Sequence, residues 1–237
     1  MGAPGISGRT TVGAGAHAAA AFLAAALAGP CTAQEGPAQS EEIRPTAAHA
    51  RSAQAVVEIM SHYHYRKVPL DDELGSRVLD HYLDIFDPSH SVFLAGDIAA
   101  FDLQRTRIDD SLRRGHLDFA FEVFDRYRLR MEERAGLASE LAAGEFDFSR
   151  EEELELDRSD APWPRGDAAL DDYWRRRVKN DILELELAGH DRQAIPESLR
   201  ARYSRMARRV RQIDADDVVQ YFLNAYIRSI DPHGQYL

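Results

Sequence analysis

The chain has 237 residues with 40 acidic and 29 basic side chains, for a formal net charge of -11 and a sequence pI near 5.3. That balance argues against a general nucleic-acid binder, because neutralising phosphates needs a net basic face. The length allows one large domain or two small ones, and a folded unit of about 200 residues buries roughly 70% of its unfolded surface. Lys67 and Lys179 are the only lysines, so the basic charge is almost all arginine, a compositional choice that by itself implies no mechanism.

Residues 1–33 carry the pattern of a secretory signal. Arg9 precedes a low-charge run whose most apolar part spans 18–28, and Cys31 and Ala33 stand at the small-residue positions for cleavage after Ala33. The run is too short and too rich in alanine and glycine for a membrane span. Cys31 is the only cysteine; Pro30 directly before it speaks against lipidation, and the chain after Ala33 must be stabilised by packing without a disulfide. Residues 34–46 are polar with two prolines, a flexible lead-in.

Helical periodicity then takes over. A first stripe runs through Ala53, Val56, Val57, Met60 and Tyr63 and ends near Pro69. Asp71 is placed to cap a second helix with Leu74, Val78, Tyr82, Ile85 and Phe86 inward, stopped at Asp87-Pro88. Asp97 opens a third, carrying Ile98, Phe101, Ile108 and Leu112 to the Arg113-Arg114-Gly115 exit. Asp118 opens a fourth, with Val123, Phe124, Tyr127, Met131, Ala138 and Leu141, closed by Gly144. Between 145 and 166 the period is lost. Ser149 and Glu152 have capping-box spacing, yet Pro162 and Pro164 around Trp163 forbid a long helix there, leaving a loop or short helix held by its aromatics. A fifth helix follows with Leu170, Trp174, Val178, Ile182 and Leu185, ending at Gly189. A sixth has Leu199, Tyr203, Met206, Val210 and Ile213, a narrow seam suited to one partner helix. A seventh runs from about Asp216 through Val219, Phe222, Tyr226 and Ile230 to Asp231-Pro232. The expectation is an all-α domain of about seven helices, with no internal repeat and no convincing strand.

Candidate chemistry is sparse. His62 and His64 are two residues apart on the expected helix and so point to different faces, unlike the i, i+4 pair of a helical metal site. Asp87, Ser89, His90 and Ser91 share one turn, but neighbours in sequence cannot converge as a triad and no glycine elbow surrounds either serine; a capping turn accounts for them. Glu151, Glu152, Glu153, Glu155 and Asp157 lack the alternation and turn glycine of a calcium loop, which leaves a solvated face. The basic clusters Arg175-Arg176-Arg177 and Arg200 to Arg211, with Arg202, Arg205 and Arg209 on one helical face, suit either salt-bridged surface or recognition of phosphate or an acidic partner. No catalytic, cofactor-binding or metal residue is assigned.

Three stretches carry a resemblance. "YHYRKVPLDDELGSRVLDHYLDIFDPSHSVFLAGDIAAFD", "YWRRRVKNDILELELAG" and "FLNAYIRSIDPHGQYL" resemble, in the same order, the N-terminal helical domain of the periplasmic tail-specific (carboxy-terminal processing) serine proteases. The likeness covers most of the chain from about Ala47. It departs at Gly234-Gln235, where the family usually has Thr followed by Ser or Asn. The expected organisation is a signal peptide at 1–33, a lead-in at 34–46 and a helical domain at 47–230, and the resemblance implies at 231–237 the start of a linker toward a PDZ module and protease core. In that family the PDZ module holds a substrate's apolar C-terminus and a serine-lysine dyad cleaves it, the lysine acting as base only in a buried core. The dyad lies downstream of the segment resembled, so neither Lys67 nor Lys179 corresponds to the base and His233 is a turn residue. Implied partners are protein substrates through the PDZ module and a lipoprotein adaptor, with no nucleic acid and peripheral or no membrane contact. The residues alone also fit a stand-alone exported helical adaptor or inhibitor, or helical nucleic-acid binding through Arg200 to Arg211, which export and net acidity disfavour.

Overall fold

The computed structural model describes residues 1–2 and 43–236; the expected signal segment with Cys31, most of the lead-in and Leu237 lie outside the described residues. Short polar residues cap three of the helices, the first, second and last. Thr46 caps α1 (Ala47–His62) by accepting from the His49 amide, and the His49 ring accepts in return from the Thr46 amide. With His49 Nδ1 an acceptor, Nε2 carries the proton and donates to Asp216 at 2.7 Å, tying the start of α1 to the last helix. Asp71 caps α2 (Asp72–Phe86) through the Leu74 amide. Ile43, ahead of the first helix, already packs on the core.

The stripe expected to form one helix from Asp97 to Gly115 folds as α3 (Ala95–Asp102), a 3-10 turn (Arg105–Arg107) and α4 (Ile108–Arg114). On a continuous helix the apolar positions 98, 101, 108 and 112 would bring Arg105 into the same buried stripe. The break releases it, and its guanidinium instead bonds Ser76, Asp80 and Asp102. α4 ends at Gly115, whose φ of 69° is left-handed and whose missing Cβ would stand 2.6 Å from the Ala50 carbonyl oxygen. The following α5 (Asp118–Leu141), α6 (Asp167–Leu187), α7 (Ile195–Arg211) and α8 (Ala215–Ile230) complete an all-α domain of eight α-helices among the described residues, α8 being capped by Asp214.

α5 is the spine, roughly 36 Å long at 1.5 Å per residue. Its first half joins α1, α2, α3, α4 and α8 in a core built on Tyr82, Phe93, Phe124, Phe222 and Tyr226. Its second half packs with α6 and α7 around Trp174, Leu170, Leu199 and Tyr203. The seam on α7, expected to meet a single helix, contacts both α5 and α6, because Ile195 and Ala207 widen its apolar face. Between α5 and α6, residues 145–166 contain no helix. Ser149 turns onto the Asp147 carboxylate rather than opening a capping box. Among the described residues no helix is long and apolar enough to cross a membrane.

Candidate functional site

Two of the sequence stretches singled out above meet at the end of α8. Pro232 cannot continue the helix, and the turn closes with His233 N–H donating to Asp231 Oδ1 (3.1 Å) and Gly234 N–H donating to the Asp231 carbonyl (2.9 Å). The chain then runs back along α8. Asn224, buried in an otherwise apolar stretch, accepts from the Tyr236 amide at 2.7 Å and donates to the Tyr236 carbonyl at 3.2 Å; Gln220 donates to the same carbonyl at 3.3 Å. A Cβ on Gly234 would lie 2.5 Å from Ile227 Cγ2, so glycine is what allows this close return.

The turn after α1 closes on the same corner from the other side. Arg66 Nη1 donates to the Ile230 carbonyl at 2.9 Å, a cation at the end of a helix where carbonyls lack partners. His64 Nε2 lies 3.4 Å from Asp231 Oδ2 and the Tyr65 hydroxyl 3.5 Å from the same oxygen. The amide of His233, and next to it His64, hold the Asp231 carboxyl below its ordinary range. α1 ends at His62, so His64 belongs to the turn rather than to a helix surface, contrary to the sequence expectation; His62 Nδ1 lies 3.1 Å from the Glu58 carbonyl. Tyr65 is otherwise exposed there, and Ile59 and Tyr63 are exposed as well.

A second turn, Asp87 to Phe93, joins the two cores. Asp87 is 1% exposed and its carboxylate accepts from the amides of Ser91, Val92 and Phe93 at 2.8, 2.8 and 2.9 Å. His90 adopts a left-handed φ of 48°, held by stacking on Trp163 at 3.7 Å and by its Nδ1, 2.5 Å from the Ala161 carbonyl. The Trp174 indole donates to the Ser91 carbonyl at 2.7 Å.

A family model described as the tail-specific protease N-terminal domain matches residues 56–237. The chain belongs to that family. The tail-specific protease of Haemophilus influenzae is 38% identical to it over 175 residues, which is 73% of this chain and 25% of that protein, so the chain spans about a quarter of this relative's length.

As a tail-specific protease N-terminal domain, the chain uses the polar residues of its motifs as structural ties. Asp87 and Ser91 bond within their turn, with Ser89 and Ser91 Oγ 2.8 Å apart. Lys67 donates to the His62 carbonyl, and Lys179 to Glu152 and the Arg150 carbonyl. A serine-histidine contact that the sequence did not suggest, His81 Nδ1 to Ser229 Oγ at 2.9 Å, borders a cleft of about 350 Å³ with Asp84 and Arg228. Burial raises the Asp84 carboxyl. Ser229 Oγ is itself committed as donor to the Ala225 carbonyl at 2.7 Å, so the imidazole N–H donates to the hydroxyl and does not remove its proton.

The acidic run and the basic cluster, read separately in the sequence, face each other. Glu152 is clasped by Arg175 and by Lys179, while Glu151 and Glu153 remain exposed; Arg176 donates to the Glu153 carbonyl at 3.0 Å. The Arg175 hydrogen bonds first, then Lys179, hold the Glu152 carboxyl down at about 2. Residues 145–158 thus form a strap over α6, flanked by open clefts of about 840 and 600 Å³. Among the described residues no group of three or more His, Cys, Asp or Glu is arranged to hold a metal.

Proposed function

We propose that this chain is the N-terminal scaffold of a periplasmic serine endopeptidase that degrades or trims proteins from their C-terminal ends. In this reading residues 1–33 direct export, 34–46 lead in, 47–230 form the scaffold and 231–237 begin the linker toward a PDZ module, beyond which a serine-lysine core performs the cleavage. The observation that carries it is the closure of His64, Tyr65 and Arg66 on Ile230 and Asp231. A domain that serves to aim a following module needs its exit fixed to its body, and here that task draws on residues about 165 positions apart. Protein substrates would be held by the PDZ module, and a lipoprotein adaptor would dock on the helical surface.

The coding sequence past Leu237 tests this reading. A frame continuing into a PDZ pattern and a strand-rich core with serine and lysine supports it; an immediate stop codon overturns it in favour of a stand-alone exported adaptor or inhibitor. The same reading predicts that the purified chain alone does not cleave a protein with an apolar C-terminus.

A further inference from the structure

Most cations of this domain are matched internally. Arg105, Arg113, Arg130 and Arg175 each reach two or more carboxylates. α7 concentrates the unmatched ones. It carries Arg200, Arg202, Arg205, Arg208, Arg209 and Arg211, of which Arg202 reaches Asp181 at 3.4 Å and Arg211 reaches Glu132 at 3.9 Å. Among the described residues Arg200, Arg205, Arg208 and Arg209 pair with no carboxylate, and all four are exposed. Arg205 lies three and four residues before Arg208 and Arg209, spacings at which like charges face and repel each other on a helix.

We propose that the outer face of α7 is a docking surface for an acidic polypeptide segment of a protein partner. The guanidinium fork matches a carboxylate with two parallel hydrogen bonds, and an incoming run of Asp or Glu would relieve the repulsion among Arg205, Arg208 and Arg209. A lipid surface fits less well. The apolar side of α7, Leu199, Tyr203, Ala207 and Val210, is buried against α5 and α6, and α7 exposes no large hydrophobic side chain for insertion. A nucleic-acid duplex extends beyond one helix and meets the repulsion of a chain with net charge -11, whereas a short acidic segment stays within the arginine face. This surface is independent of the protease reading, since it requires only the folded helical domain.

The test is fluorescence anisotropy of a labelled decaglutamate peptide with the full chain at low and physiological salt. Binding should weaken as salt rises, and R205E/R208E should lose affinity by about tenfold or more. R107E/R165E, which changes two exposed arginines away from α7, should bind like the parent. Circular dichroism verifies that the variants fold, and R205Q/R208Q, which removes charge without reversing it, should show a smaller loss in the same direction. The proposal is overturned if decaglutamate does not bind at low salt or if both double variants bind equally. It is also overturned if a DNA duplex, or a vesicle of phosphatidylglycerol in phosphatidylcholine, binds more tightly than the peptide.

Discussion

The α2–α8 half of the domain and the half built on α6 and the 145–158 strap differ in how their connecting segments are held. In the first, side chains turn onto backbone: Asp87 onto three amides, Arg66 onto the Ile230 carbonyl, Asn224 onto both polar groups of Tyr236. In the second, cations meet carboxylates at the surface, as Arg175 and Lys179 do on Glu152. Bonds to buried backbone are costly to lose because the orphaned group cannot reach water. Surface ion pairs contribute little, since water and salt replace them. The first half therefore fixes geometry, while the strap can open locally without unfolding the domain.

The contrast is sharpest at Asp87. Asp87→Ala leaves three buried amides without their acceptor and should cost about 3–5 kcal/mol, read from the urea midpoint. Gly234→Thr should follow at about 1–3 kcal/mol, because its Cβ must displace Ile227 or lift the exit from α8; thermal unfolding measures it. Trp174→Phe keeps most of the packing but removes the bond to the Ser91 carbonyl between the two cores, for a loss of about 1–2 kcal/mol. Glu152→Gln should have the smallest effect, leaving the global unfolding midpoint unchanged while speeding cleavage within 145–158. A midpoint shift for Glu152→Gln as large as that for Asp87→Ala would break the comparison.

The strap also carries a pH signature. Because the folded Glu152 carboxyl is held at about 2, below its ordinary 4.5, its clasp is fully present above 4.5 and is lost as pH falls through about 2. Pepsin should distinguish the parent from Glu152→Gln at pH 4, with the variant cut faster in the strap, and the two should converge as pH approaches 2.

The helices were legible because their apolar stripes are regular and their starts bear Asp71, Asp97 and Asp118. The split of the third expected helix was legible only in part: Arg105 in register with Ile98, Phe101, Ile108 and Leu112 is the sign that the stripe cannot continue. The clasp of Glu152 by Arg175 and Lys179 depends on how an aperiodic segment folds back over α6, which periodicity does not specify. The exit corner joins residues about 165 positions apart, and no local pattern states such a contact. Its readable trace is Asn224, a buried amide inside the apolar run of α8, which must find partners.

The fixed exit is the central claim, and the amide of Tyr236 reports on it most directly. Hydrogen exchange should show this amide protected in the parent chain by its bond to Asn224, and Asn224→Ala should release it while the interior amides of α2 and α8 stay protected. A Tyr236 amide that exchanges in the parent chain as fast as in an unstructured peptide would contradict the account.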